Sequence, residues 1–163
     1  MKWDDIQELP CSIARTLSVI GDRWTLMIVR ECFLGTRRFE QFQKRLGVTR
    51  HRLSERLNKL VEHGILRKQL YQESPARYEY RLTRKGVELY PILMAMVQWG
   101  DTWMDDGAGP PLVYQHTSCG QLMHMELHCS ACGEKVSPHE VVPQPGPGLK
   151  SWQATQAKKP KIQ

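Results

Sequence analysis

Residues 36–83 constrain the fold of this 163-residue chain more than any other segment. The sequence TRRFEQFQKRLGVTRHRLSERLNKLVEHGILRKQLYQESPARYEYRLT predicts a helix, a tight turn at Gly47, a second helix and a β-hairpin. Helical spacing gives the second helix one apolar stripe, formed by Leu53, Leu57, Leu60 and Val61. This stripe must pack inward, so the polar residues of the same helix must face outward.

Basic charge is concentrated in the same part of the chain. Residues 37–85 contain 14 Lys and Arg against 5 Asp and Glu, a formal charge of +9, whereas the whole chain carries +6. A local basic surface is typical of a face that meets nucleic-acid phosphates. Two helices joined by a glycine turn and followed by a hairpin also have the order of a winged helix, whose second helix enters the major groove.

The outward face of the second helix supplies the candidates for base contact, namely His51, Arg52 and Glu55, because side chains at the start of a recognition helix enter the groove most deeply. Further basic residues are expected to hold phosphates or to enter the minor groove: Arg38, Arg56, Lys59, Arg77 and Arg81. Arg77 follows the predicted hairpin turn, where an arginine commonly reaches a minor groove. A solvated helix face and an ordinary loop arginine are the alternative interpretations.

Helical periodicity continues on both sides of this segment. Residues 12–34 predict two helices, and Asp22 is the expected N-cap of the second. One long helix is predicted over residues 84–104, with a cap at Thr83 and a bend near Pro91. Its apolar stripe is too long for one small domain to bury, so we expect a two-fold dimer seam. The stripe contains Leu89, Leu93, Met96, Val97, Gly100, Trp103 and Met104.

The sequence resembles the HxlR family of bacterial winged-helix transcription regulators, relatives of the MarR group. The resemblance covers roughly residues 11–100 and rests on the early Cys11 and on IGDRWTLMIVRE, RRFEQFQ, LSERLNKL, PARYEYRLT and VQWG. It implies a homodimeric DNA-binding regulator, a repressor rather than an activator, which binds a near-palindromic operator. It also implies release from DNA by a redox signal or a small-molecule effector.

Two cysteines of the winged-helix part differ in their expected roles. Cys11 matches the family's N-terminal cysteine, which is a redox-sensing thiol in several members, although Ser12 follows it where the family usually has proline. Cys11 also precedes a predicted helix start, where backbone amides favour a thiolate. It is therefore the redox candidate, with a buried packing thiol as the alternative. Cys32 lies within an amphipathic helix and is expected to belong to the core.

The C-terminal part contains a potential metal site. His116-x2-Cys119-Gly and Cys129-x2-Cys132-Gly form two knuckles of equal length, and each ends in a glycine. Four ligands at this spacing fit a structural zinc ion in a small ribbon of β-strands. The alternatives are a redox dithiol at Cys129 and Cys132, or a small β-unit that contains no metal.

Together these features predict an α+β, mainly α, protein in three parts. Residues 1–106 form a winged helix-turn-helix with dimerisation helices, and residues 112–142 form a zinc-ribbon-like unit. Residues 143–163, which are rich in Pro, Gly, Gln and Lys, are predicted to be a flexible tail.

The same features predict where the protein acts and on what. The chain has no apolar run of about 18 residues, so we expect a cytoplasmic protein with no membrane partner. Its expected partners are a double-stranded DNA operator and a second copy of itself. The alternative is a protein-interaction module that uses a winged helix and a zinc ribbon. We do not expect an enzyme, because no acid/base constellation accompanies Cys11 or the C-x2-C pair.

Overall fold

The computed structural model of the protein describes residue 6 and residues 8–157. The helices are α1 (Ser12–Ile20), α2 (Arg23–Phe33), α3 (Phe39–Leu46), α4 (Arg50–Glu62), α5 (Arg84–Val87), α6 (Tyr90–Trp103) and α7 (Pro147–Ala157). The strands are β1 (Leu66–Gln72), β2 (Arg77–Leu82), β3 (Tyr114–Gln115) and β4 (Leu122–Met123), and a 3-10 helix spans Pro138–Glu140. Helices α3 and α4 with the β1–β2 hairpin form the predicted winged helix-turn-helix.

The helix boundaries follow local chemistry. Asp22 caps α2, because its carboxylate accepts hydrogen bonds from the backbone N–H groups of Trp24 and Thr25 at 3.0 and 3.2 Å. Helix α3 ends at Gly47, whose φ of 62° lies in the left-handed region that favours glycine. Thr49 occupies the N-cap position of α4 without a side-chain cap bond. Thr83 caps α5 by accepting from Gly86 N at 3.1 Å.

One hydrophobic core connects helices α2, α3 and α4 to the β1–β2 hairpin. The predicted α4 stripe is confirmed, because Leu53, Leu57 and Leu60 are fully buried. The remaining buried members of the cluster are Ile20, Ile28, Val29, Cys32, Phe42, Val48, Ile65, Leu66 and Tyr80. Full burial stabilises a large apolar side chain by about 1.5–3 kcal/mol, so this cluster fixes the orientation of α4.

The hairpin forms the wing, and it is anchored to the helices at its base. Strands β1 and β2 pair antiparallel from Leu66↔Leu82 outward, and Tyr71 occupies an irregularity in the register near the turn. On the other edge of β2, Tyr80 N donates to Arg37 O at 2.8 Å, and Arg38 pairs with Glu79. Strand β2 therefore has hydrogen-bonded neighbours on both sides.

The helix predicted over residues 84–104 is divided in the structure. The short α5 is followed by α6, which begins at Tyr90, so Pro91 stands in the first turn of α6. Proline is well tolerated there because the first-turn N–H groups lack helical partners. The predicted bend at Pro91 is therefore wrong, and a helix boundary takes its place. Gly86 is required in α5, since a Cβ atom there would collide with the carbonyl oxygen of Ile65.

The chain divides into two compact units, residues 19–125 and residues 1–18 with 126–163. The division falls inside the segment 112–142 that was predicted to be one unit. Strands β3 and β4 pair antiparallel in the first unit. In the second unit, Pro147–Ala157 form a helix, within the segment 143–163 that the sequence predicted to be a flexible tail. In the part of the chain that the structure describes, every helix is too short or too polar to cross a bilayer.

Candidate nucleic-acid interface

Helix α4 presents a polar face opposite its buried leucine stripe. His51, Arg52 and Glu55, the predicted base-contacting residues, are all exposed. They lie in the first two turns of the helix, beside the turn that enters it from α3. At the same end, the Arg50 guanidinium lies 4.9 Å from the ring centroid of Phe39, so this side chain links the starts of α4 and α3. The arrangement is that of a recognition helix with its N-terminal turns free to enter a groove.

Two of the predicted phosphate contacts lie lower on the flank of α4. Arg56 is half-buried, and its Nε atom lies 3.2 Å from Oδ1 of Asp22, the cap of α2. Lys59 is also half-buried. The Arg56 ion pair ties the recognition helix to α2, so this guanidinium has a structural partner within the chain.

The wing carries arginines on its outer face. Tyr78, Tyr80 and Leu82 share one face of β2, and Tyr80 is buried in the core. Alternation along the strand and the register with β1 place the remaining residues on the outer face: Arg67, Gln69, Arg77, Glu79 and Arg81. Arg77, at the start of β2 beside the turn, is exposed as predicted.

Glu79 brings two of the predicted DNA-binding arginines together. Its carboxylate accepts from Arg38 Nε at 3.2 Å and from Arg81 at 2.8 Å. These two hydrogen bonds, with that of Arg81 the stronger, lower the pKa of Glu79 below its ordinary value of 4.5. The Arg38 guanidinium also lies 4.4 Å from the ring centroid of Tyr71. Contacts within the chain thus hold both Arg38 and Arg81.

Sequence reasoning missed a second organising carboxylate, Glu31. It is buried, and it binds Thr36 Oγ1 at 2.9 Å and Arg45 at 3.4 Å. Thr36 N also donates to the backbone carbonyl of Glu31 at 2.9 Å. These contacts join α2, the loop before α3 and the end of α3. A charged residue on the apolar face of α2 was the only sequence signal for this role.

The N-terminal cysteine and the helical cysteine have opposite surroundings. Cys11 is exposed and directly precedes α1, since its carbonyl accepts from Arg15 N at 3.1 Å. Cys32 is only 2% exposed, as predicted for a core residue. Burial raises the pKa of the Cys32 thiol from 9.0 to about 12, with a smaller opposing contribution from Arg37. Cys32 therefore stays protonated and unreactive at neutral pH.

Each of the two predicted knuckles has the same backbone geometry. In the first, Gly120 N donates to His116 O at 2.8 Å, and His116 N donates to Gln121 O at 2.9 Å. In the second, Gly133 N donates to Cys129 O at 2.8 Å, and Cys129 N donates to Glu134 O at 2.8 Å. The two glycines have φ values of 71° and 78°. The final glycines are required, because the left-handed region excludes most other residues.

The side chains of each knuckle also converge locally. His116 Nδ1 lies 3.4 Å from Cys119 Sγ. The backbone N–H groups of Cys132 and Ala131 bond to the Cys129 sulfur and lower its pKa, with a smaller contribution from the Cys132 side chain. Among residue 6 and residues 8–157, no three His, Cys, Asp or Glu side chains form a group suited to a metal ion. The four-ligand zinc site therefore stays a prediction.

Comparison with known proteins identifies the family. The profile of the HxlR-like helix-turn-helix family matches residues 19–108, more than half of the chain. The chain belongs to the HxlR family. The resemblance inferred from the sequence motifs is thereby confirmed, and so is the winged helix-turn-helix fold.

Similarity between this HxlR-family chain and its relatives extends beyond residues 19–108. Rv3095 of Mycobacterium tuberculosis, an uncharacterized HTH-type transcriptional regulator, is 43% identical over 140 residues, 86% of this chain and 89% of that protein. The crystal structure of PA1607 has a TM-score of 0.76 and 34% identity, and the match covers 85% of this chain and 96% of that one. The redox regulator HypR in its oxidized form has a TM-score of 0.54 and 32% identity, covering 58% and 99%.

These comparisons establish the function at a coarse level. This HxlR-family protein is a transcriptional regulator of the helix-turn-helix type. Its relatives are regulators, which implies a DNA-binding role without catalysis. The individual DNA contacts, the oligomeric state and the inducing signal remain predictions.

Proposed function

We propose that the protein is a homodimeric repressor that inserts α4 into the major groove of a near-palindromic operator. The observation that carries this proposal is the exposed triad His51, Arg52 and Glu55 on a helix whose opposite face is fully buried. A helix fixed in this way presents its polar face in one orientation, as specific base contact requires. These three residues contact the edges of the bases in the major groove.

The remaining contacts are assigned to phosphates and to the minor groove. Arg77 stands beside the wing turn, where it reaches the groove next to the one that α4 occupies. Arg38 and Arg81 bind phosphates from the outer face of the wing, and Lys59 binds them from the flank of α4. Arg56 contributes less to DNA binding, because its side chain is only 24% exposed, against 48% for Arg38 and 43% for Arg81.

The exposed apolar face of α6 supports the homodimer, but it differs from the predicted stripe, because Leu89 and Leu93 pack against the core. Ile92, Met96, Trp99 and Trp103 follow the spacing i, i+4, i+7 and i+11 and are 40–73% exposed. An exposed stripe of this size marks an interaction surface. A two-fold axis through α6 would give two recognition helices, which suits an operator with two half-sites.

A redox signal at Cys11 is the proposed inducer. Two observations support it: the Cys11 thiol is exposed, and HypR, a structural relative, is a redox regulator. A small-molecule effector is the second candidate, supported by an apolar cavity of about 430 Å³ between α2 and α6. Its lining includes Leu26, Phe33, Tyr90, Leu93 and Val97.

A mobility-shift assay with the DNA upstream of the protein's own gene tests the proposal. Binding should survive excess non-specific competitor and should weaken steeply between two salt concentrations, because phosphate contacts release counterions. Mild oxidant should release the DNA, reductant should restore binding, and Cys11→Ser should abolish the response. Loss of DNA binding under all conditions would favour the protein-interaction module instead. An unchanged response in Cys11→Ser would exclude that thiol as the sensor.

We also propose that His116, Cys119, Cys129 and Cys132 hold one structural zinc ion. The knuckles support this, because their backbone turns match and the amides of Ala131 and Cys132 bond to the Cys129 sulfur, as in zinc knuckles. Protein purified without chelator should contain one zinc per chain, and Cys129→Ser should lose it while DNA binding persists. Cys32→Ser, at a buried non-ligand thiol, is the control for loss of a cysteine. Less than about a tenth of an equivalent of metal, with the C-terminal segment folded, would contradict the proposal.

A further inference from the structure

The outer face of the wing contains a carboxylate among arginines. Arg67, Arg77 and Arg81 lie on this face by strand alternation, and Arg38 reaches it from the loop before α3. Glu79 lies among them and is half-buried. A negative charge at this place lowers the attraction of the wing for phosphates, so electrostatics alone gives no reason for it.

The contacts of Glu79 give it a different role. Its two oxygens are used separately: Oε1 accepts from Arg38 Nε, and Oε2 accepts from the terminal nitrogen of Arg81. The Arg38 guanidinium also lies over the Tyr71 ring, which restricts it further. A guanidinium has five N–H donors, so each arginine retains donors for a phosphate while it is held.

We propose that Glu79 is a positioning residue for DNA recognition, which fixes the separation and direction of the Arg38 and Arg81 guanidiniums on the outer face of the wing. A free arginine loses much of its rotamer freedom when it binds a phosphate. An arginine that is already held loses less, and this pre-organisation strengthens binding only where the phosphates match its position. The inference rests on the proposed DNA-binding function of the same surface.

The positioning role and simple electrostatics predict opposite results for Glu79→Gln. If Glu79 only reduces the positive charge, its neutralisation should strengthen binding to every duplex by a similar factor. If Glu79 positions the arginines, its neutralisation should weaken binding to the preferred duplex while leaving random DNA unaffected or bound more tightly.

The experiment uses the full chain and two duplexes of equal length. One duplex is enriched by the wild-type protein from a random-sequence pool, and the other is a scrambled version of it. We expect Glu79→Gln to lower the ratio of the two affinities about tenfold, the effect of losing roughly one charge-assisted contact. Glu73→Gln is the matched control, because it removes the same charge from the hairpin turn. It should shift both affinities together.

Glu79→Asp provides a second test at constant charge. An aspartate is one methylene shorter, so it does not span both guanidiniums, and its specificity ratio should also fall. This variant decides the question if Glu79→Gln fails to fold in a thermal melt. A wild-type ratio in a folded Glu79→Gln or Glu79→Asp variant would overturn the inference. If the wild-type protein enriches no duplex from the pool, the proposed DNA-binding function itself is wrong.

Discussion

The chain covers the apolar stripe of α4 completely, whereas α6 keeps an exposed apolar face. In α4, Leu53, Leu57 and Leu60 are completely buried beneath α2, α3 and the wing. In α6, Met94 is buried, whereas Met96, Trp99 and Trp103 are 50, 60 and 73% exposed. Periodicity in a sequence therefore identifies an apolar face without identifying the surface that covers it.

The difference separates two kinds of stability. The α4 stripe contributes to the free energy of unfolding of one chain, because its partners lie within that chain. The exposed face of α6 can contribute only when another surface removes it from water, and for a second copy that contribution depends on protein concentration. Four experiments test the roles assigned to these two helices and to the wing, from the largest expected effect to the smallest.

The largest effect is expected from removing part of the α4 stripe. Leu57→Ala should lower the free energy of unfolding by about 2–5 kcal/mol, because it deletes buried methyl groups and leaves a cavity. Urea unfolding at two protein concentrations measures it, and the loss should be the same at both. Met96→Ala is the matched change on α6, and its effect should grow with protein concentration. Equal, concentration-independent losses in the two variants would abolish the proposed difference between the helices.

The next effect concerns assembly. The double substitution Met96→Asp and Trp99→Asp should place charges in the proposed dimer seam and release folded monomers. Light scattering should then give one chain mass of 18.9 kDa instead of two. Operator affinity should fall roughly 100-fold, or about 2.7 kcal/mol, because each half-site alone binds weakly. Gln98→Asp adds a charge elsewhere on α6 and should leave the dimer intact. A double variant that remains dimeric would place the interface elsewhere.

The polar face of α4 gives a smaller effect that appears only in DNA binding. Arg52→Ala should cost about 1–3 kcal/mol of operator binding and relax the preference at particular base pairs. Arg77→Ala should weaken binding with less change in preference, because a contact to the backbone or minor groove carries little base information. Competition with single-base operator variants distinguishes the two. Unchanged affinity in both variants would contradict the docking of α4 and the wing.

The smallest effect is expected at the flank of α4. Arg56→Gln should lower the free energy of unfolding by about 0.5–1 kcal/mol, because it removes a partly exposed ion pair with Asp22. The slope of operator affinity against salt should change less than in Arg77→Ala, because the Arg56 side chain is mostly buried. If the salt dependence of operator affinity falls by the amount expected for one phosphate contact, Arg56 binds DNA after all.

The sequence predicted the winged helix well because its signals are local. Gly47 ends α3, Asp22 caps α2, and the leucine spacing orients α4, so each element is specified by residues close to it. The exposed positions of His51, Arg52 and Glu55 follow directly from that spacing. The division between α5 and α6 could not be read in this way, because the apolar stripe continues through Leu89 at the boundary.

The contacts that organise the candidate site were not predictable from the sequence. Glu79 meets Arg38 across 41 positions of chain, and Arg56 of α4 meets Asp22, the cap of α2. Such pairs depend on how elements pack, which a helical or strand period does not encode. Alternation in β2 does place Glu79 beside Arg81, so half of that arrangement was available from the sequence. The C-terminal helix Pro147–Ala157 was missed because its segment is rich in Pro, Gly and Gln.

The hydrogen bond from Tyr80 N to Arg37 O also affects how the protein behaves in concentrated solution. Because β2 is bonded on both edges, β1 supplies the outer edge of the hairpin in the described part of the chain. An outer strand with free backbone groups can add a strand from another molecule and begin aggregation. Arg67 and Lys68 are the second and third residues of β1, and their like charges repel the same strand of a neighbouring molecule. The positive charge of the wing therefore also keeps this edge from self-association.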